Sequence, residues 1–177
     1  MRRMANARQT GTPWTRLIVL RGNSGSGKTS TARALRDRLG CRLALVEQDY
    51  LRRIVLKSRD TPEGPHYGLI ELTVRYALNA GYDVVLEGIL HSQRYLPLLE
   101  RLARDHQGRT VAYYFAVSWQ ETLRRHATRP QAAEFGPADM CGWYRHRDLL
   151  NWPDERLIPE TATLTETAER ILTELYP

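Results

Sequence analysis

Residues 22–29 read Gly-Asn-Ser-Gly-Ser-Gly-Lys-Thr, a complete G-x-x-x-x-G-K-[ST] pattern, and few strings of eight residues restrict a fold as tightly. The pattern works as a turn between a buried strand and a helix. Its glycines let backbone N–H groups turn inward, and the helix that follows adds the positive end of its dipole. The flanks supply that context: an apolar run, Leu17–Leu20, comes before it and a helical pattern, Lys28–Leu39, comes after it. At ordinary glycine usage, a chance match in a chain of this length is on the order of one in a few hundred. Gly22, Asn23, Ser24, Gly25, Ser26, Gly27, Lys28, Thr29 and Ser30 are therefore expected to cradle the phosphates of ATP. Lys28 is expected at the β- and γ-phosphates, and the Thr29 hydroxyl at Mg²⁺.

Three further apolar runs read as buried strands, Leu43–Val46, Val84–Leu86 and Val111–Val117, and Arg156–Ile158 is a weaker fifth. Between them lie helical patterns over Leu69–Asn79, Gln93–Asp105 and Gln120–Ala127, and a last one spans Leu164–Leu175 with Thr163 or Thr165 near its start. Strands alternating with helices predict a parallel sheet covered on both faces. Ser58–Tyr67, which holds Pro62, Gly64 and Pro65, reads as a loop, and Arg129–Tyr144 as a lid. The chain divides into a loose polar tail, 1–15, and one domain, 16–177.

Composition excludes little but helps with partners. No apolar run reaches the roughly 18 residues of a spanning helix, and the basic start lacks the apolar core of a secretory signal. The two cysteines, Cys41 and Cys141, fit neither a zinc pattern nor a CxxC pair, so a reducing, cytoplasmic setting is expected, with Cys41 in the core. A net charge of +6 admits an anionic partner, yet ATP alone would satisfy it, and only Lys28 and Lys57 are lysines. Nucleic acid is a less favoured partner, because no basic stripe interleaved with aromatics stands out beyond 143–147. The sequence fixes no oligomeric state.

A phosphate cradle alone does not separate kinases from switches or motors. No N-K-x-D segment occurs, which argues against a guanine-nucleotide switch. Ligands in open parallel sheets bind at the carboxyl ends of strands, so the acids there carry the choice. Asp49, past the second strand, is the candidate base for an acceptor hydroxyl, with Arg52 three residues on as its substrate-binding companion. Glu87 ends the third strand as the candidate magnesium or substrate acid, with Gly88 beside it for close backbone approach and Asp83 at the opposite end as a turn residue. Arg125 and Arg129, with Arg124 offset, are expected to fold over the transferred phosphate. His91 is a candidate substrate contact, and the five histidines show no metal-ligand spacing. Trp143, Tyr144 and Trp152 are expected to pack the last helices.

Taken in order, GNSGSGKT, Gln48-Asp49-x-x-Arg52 and Val84-Val-Leu-Glu87-Gly88 resemble small P-loop kinases of the nucleoside-monophosphate-kinase-like fold. Zeta-toxin-type and polynucleotide-kinase-type proteins show that order, and chloramphenicol phosphotransferase and the tunicamycin-resistance protein share the plan. The resemblance runs from Arg16 to Glu174. It implies a three-layer α/β/α P-loop fold with a five-stranded parallel sheet, order 2-3-1-4-5, and an arginine-bearing lid. It also implies Mg·ATP-dependent transfer to a hydroxyl of a small molecule, such as a nucleoside-containing metabolite or an antibiotic. Two alternatives stand beside that expectation: a 5′-hydroxyl polynucleotide kinase, which the D-x-x-R element suits, and a non-catalytic, ATP-dependent sensing or sequestration protein that binds ATP and a drug without turnover. No antitoxin-binding or antibiotic-specific pocket is legible, and function lives in the site rather than the fold.

Overall fold

In a computed structural model, residues 9–128, 133 and 135–176 are described. Five strands, β1 (Arg16–Gly22), β2 (Leu43–Glu47), β3 (Asp83–Gly88), β4 (Arg109–Ala116) and β5 (Glu155–Pro159), alternate with six helices. The helices are α1 (Lys28–Leu39), α2 (Pro65–Asn79), α3 (Ser92–Asp105), α4 (Trp119–His126), α5 (Pro137–Trp143) and α6 (Leu164–Leu175). The sheet is parallel, as the alternating pattern predicts, with the order β2-β3-β1-β4-β5 that the family resemblance implies. Among the described residues no helix is long and apolar enough to cross a membrane.

Side-chain alternation along a strand divides the core into two layers. Leu17 and Val19 of β1 join Val84 and Leu86 beneath α2 and α3. Ile18 and Leu20 join Val85 beneath α1 and α6. That parity also positions the site. Glu87, two residues after Val85, and Glu47, two after Leu45, face the α1 side and stand opposite each other in the β2–β3 register. Gln48 takes the other face, where its amide donates to the Tyr95 hydroxyl of α3 at 3.0 Å.

Local signals explain the ends of the elements. Glycines with positive φ at Gly22, Gly25 and Gly27 bend the chain from β1 into α1. At Gly22 a Cβ would stand 2.9 Å from the Phe115 carbonyl oxygen, so a side chain there would force β1 and β4 apart. Thr163 and Glu166 close a reciprocal capping box at the start of α6.

Three expectations are corrected. The loop expected over Ser58–Tyr67 ends early, because Pro65 occupies the first turn of α2, where its missing N–H costs nothing. Cys41 is exposed, carried outward by a 3₁₀ turn at Gly40–Arg42. Residues 10–15 are docked rather than loose. The Thr10 N–H donates to the Asp105 carbonyl at 2.8 Å, and the Thr15 hydroxyl lies 3.0 Å from His106 Nε2. The polar end of β1 is buried as well, for Arg21 is fully buried.

Arg21 acts as a brace. It ion-pairs Asp148 at 2.7 Å and Glu155 at 2.9 Å, and donates to the Leu90 carbonyl at 3.1 Å. Leu90 and Arg147 both hold the left-handed conformation, φ 45° and 46°, which costs a side-chain-bearing residue about 1–3 kcal/mol. The guanidinium thus secures two strained turns, one leading to His91 and one leading to Asp148. Burial opposes ionisation of Asp148, but hydrogen bonds from His91 and Ser92 and the charge of Arg21 hold its carboxyl below the usual range.

Candidate active site

The carboxyl ends of β1, β2 and β3 meet at one rim, and the candidate residues gather there. Inside the 22–29 turn, Lys28 is buried and its ammonium donates to the Asn23 carbonyl at 2.8 Å and to Ser26 Oγ at 3.2 Å. The Thr29 hydroxyl donates to Glu87 Oε1 at 2.7 Å. Glu87 is 6% exposed. Burial pushes its carboxyl up, Lys28 and the Thr29 hydrogen bond pull it back, and Glu47 and Asp49 add to the rise. A cavity of about 350 Å³ opens over these groups, lined also by Arg33, Arg53 and Glu47.

These residues fit a magnesium triphosphate. The turn is built from positive-φ glycines, and its cavity presents an ammonium and guanidiniums to anionic oxygens. A hydroxyl and a carboxylate, both oxygen donors suited to Mg²⁺, already lie within hydrogen-bonding distance of each other. Thr29 and Glu87 would hold the cation and Lys28 the phosphates. A second cavity, about 410 Å³, lies between the turn and the loop before α6, lined by Gly27, Thr31, Arg125, Thr128, Ala162 and Leu164 among others.

Asp49 stands at a junction. It lines the phosphate cavity and a third cavity of about 510 Å³. It leads into a wide, π-type helical segment, Tyr50–Val55, a geometry frequent at functional sites. Arg52 Nη2 donates to Asp49 Oδ1 at 2.6 Å, so the D-x-x-R spacing does bring the two together. His91, Arg94, Phe135, Trp143 and Arg145 form further parts of the 510 Å³ cleft.

Other expected residues go elsewhere. Arg125 donates to the Glu121 carboxylate at 2.6 Å, the Ser26 carbonyl at 3.1 Å and the Glu160 carbonyl at 2.7 Å. It ties the cradle to the loop before α6, away from the Asp49 junction. Arg124 points outward, paired with Glu121. Arg129 lies outside the described residues. Asn23, expected in the phosphate cradle, is 3% exposed, and its side chain is engaged outside that cradle. Its Oδ1 accepts from the Arg145 N–H at 2.8 Å, and its Nδ2 donates to the Arg145 carbonyl at 2.7 Å. Tyr144 and Trp152 do not pack the last helices: Tyr144 lies edge-on to Trp119 of α4, and Trp152 packs on the core layer beneath α2 and α3. Trp143 instead faces Phe135 at the cleft. Glu47, Arg94 and Arg145 are additions that motif reading missed. Strand parity with Glu87 was enough to find Glu47, whereas no local signal marks the other two.

A family model described as an AAA domain matches residues 17–143, most of the chain and the whole cradle-to-cleft region. The chain belongs to the AAA domain family. No curated protein matches this AAA-domain chain in sequence. Among solved structures it is similar to the APS kinase of Mycobacterium tuberculosis, solved with AMPPNP and APS. That likeness has a TM-score of 0.73 at 17% identity over 93% of this chain and 99% of the other. A gluconokinase from Sinorhizobium meliloti 1021 gives 0.62 at 18% identity over 93% of both chains. Shikimate kinase from Acinetobacter baumannii, solved with shikimate, gives 0.58 at 21% identity over 92% and 94%. These likenesses establish that the AAA-domain chain has the small P-loop kinase fold of the nucleoside-monophosphate-kinase-like type.

Proposed function

We propose that this protein is an ATP- and Mg²⁺-dependent kinase that transfers the γ-phosphate to a hydroxyl of a small molecule. The observation that carries the reading is the position of Asp49, which lines both the phosphate cavity and the 510 Å³ cleft. A cleft of that size lies within the roughly 300–1,000 Å³ usual for small ligands. Likeness to kinases solved with APS and with shikimate supports the same reading.

Bound Mg·ATP supplies the transferable phosphoryl group. Lys28 orients the phosphates, and Thr29 with Glu87 holds the cation. The cavity edged by Arg125 and Ala162 receives the nucleoside. Asp49 would accept a hydrogen bond from the acceptor hydroxyl at its free carboxylate oxygen and take the proton as the new O–P bond forms and the bond from the γ-phosphorus to the β,γ-bridging oxygen breaks, ADP leaving, while Arg52 fixes the other oxygen. Phosphoryl transfer needs positioning and charge stabilisation more than covalent help, and this division of labour supplies both.

The test is a screen for ATP consumption across nucleosides, sugars, hydroxy acids, antibiotics and 5′-hydroxyl oligonucleotides, with Lys28→Ala as control and mass spectrometry of any product. Absence of Mg·AMPPNP uptake by calorimetry would remove the reading. The Asp49–Arg52 pair also favours a 5′-hydroxyl polynucleotide kinase as second reading. That activity would fall steeply as salt rises.

A further inference from the structure

The charges that line the 510 Å³ cleft bear on what enters it. Among the described residues, the guanidiniums of Arg52, Arg94 and Arg145 and the carboxylates of Asp49, Asp60 and Asp139 line it. Every carboxylate is engaged. Asp139 accepts from the Gly136 N–H at 2.9 Å, capping α5. Asp60 accepts from the Tyr95 hydroxyl at 3.2 Å, with His66 Nε2 at 3.2 Å and Arg94 at 3.5 Å. Asp49 holds Arg52.

Arg145 is different. Among the described residues its side chain meets only two backbone carbonyls, Gly142 and Tyr144 at 3.1 and 2.8 Å, both through Nη1. The rest of its donor fork, suited to a carboxylate, sulfate or phosphate, has no protein acceptor there. Yet the residue is not loosely hung. The buried Asn23 amide clasps its backbone from both sides, at 2.8 and 2.7 Å. A cradle residue thus spends its whole side chain fixing where Arg145 begins. The guanidinium itself is exposed, but the backbone that carries it is held by the cradle.

Resting on the kinase reading, we infer that the acceptor is an oxyanionic alcohol, a hydroxyl compound bearing a carboxylate, sulfate or phosphate, and that Arg145, with Arg94, binds that anion. Arg145 is the specificity-determining residue of the cleft. A cationic acceptor would meet like charge there and be disfavoured.

The probe is inorganic sulfate, titrated into the full chain after saturation with Mg·AMPPNP so that the phosphate cradle is occupied. The readout is the indole N–H resonance of Trp143, which lines the cleft, assigned by Trp143→Phe. The expected result is a saturable shift whose affinity falls at least about tenfold in Arg145→Gln, the loss of one charge-assisted hydrogen-bond partner. Arg145→Lys, which keeps the charge but loses the fork, should bind between the native chain and Arg145→Gln, which separates lost charge from lost structure. A shift that does not saturate, or one unchanged by Arg145→Gln, would overturn the inference. Nucleotide uptake is measured first and separately, so its failure condemns the kinase reading and leaves the sulfate response to be read by itself.

Discussion

The two walls of the site are made of different material. The wall proposed for the nucleotide is largely backbone, with three positive-φ glycines and a helix start that carries one buried lysine. The wall proposed for the acceptor is side chains, Arg52, His91, Arg94, Trp143 and Arg145, mounted on irregular segments, the short α5 and the first turn of α3. Backbone recognition reads phosphate, which every nucleoside triphosphate shares. Side-chain recognition reads what differs between acceptors, and a wall of this second kind can change specificity without disturbing the first.

Substitutions can break that separation. The largest effect is expected for Asp49→Asn, with transfer down about 10²–10⁴-fold, the usual worth of a positioned base. Mg·ATP affinity by calorimetry should be unchanged, and a matching loss of nucleotide affinity would show that the walls are not independent. Arg21→Leu should hit both walls together. Removing one partner of a buried ion pair costs about 3–5 kcal/mol, and the loss is read from the midpoint of urea unfolding. An intact midpoint would mean that Asp148 and Glu155 find other partners.

Asn23→Ala gives a finer cut. The loss of two hydrogen bonds to Arg145 is expected to cost about 1–3 kcal/mol. It should appear as a raised KM for the acceptor with nucleotide affinity intact, although the residue lies within the cradle motif. An effect on ATP alone would return Asn23 to the phosphates. The smallest effect concerns pH. The carboxyl of Asp148 titrates lower in the folded than in the unfolded chain, so its stabilisation is complete above the unfolded value of about 3.9 and is lost as pH falls towards the folded one. Thermal melts below about pH 4 should therefore fall more steeply for the native chain than for Asp148→Asn.

The same contrast explains what was legible beforehand. Periodicity located α1 and α6 at their observed bounds and all five strands to within a few residues, because each element writes its pattern locally. The cradle was legible for the same reason. The clasp between Asn23 and Arg145 joins residues 122 positions apart, and no spacing rule connects them. Arg125 was expected over the transferred phosphate because helical pitch says which face a residue shares but not where the helix sits. The π-type segment after Asp49 was not legible either, although the D-x-x-R spacing within it placed Arg52 at the cleft; Arg53 also lines that cleft. One signal was present but unread: an arginine at the end of an otherwise apolar strand, Leu17-Ile-Val-Leu-Arg21, demands buried counter-charges.

The brace at Arg21 has a consequence for how the chain comes to be. Its counter-charges lie 127 and 134 residues downstream, so while the polypeptide is still emerging the first strand cannot surrender its charge to the interior. The catalytic rim must wait for the final third of synthesis, and a nascent chain halted before residue 148 would keep β1 at the surface, within reach of a chaperone or a protease.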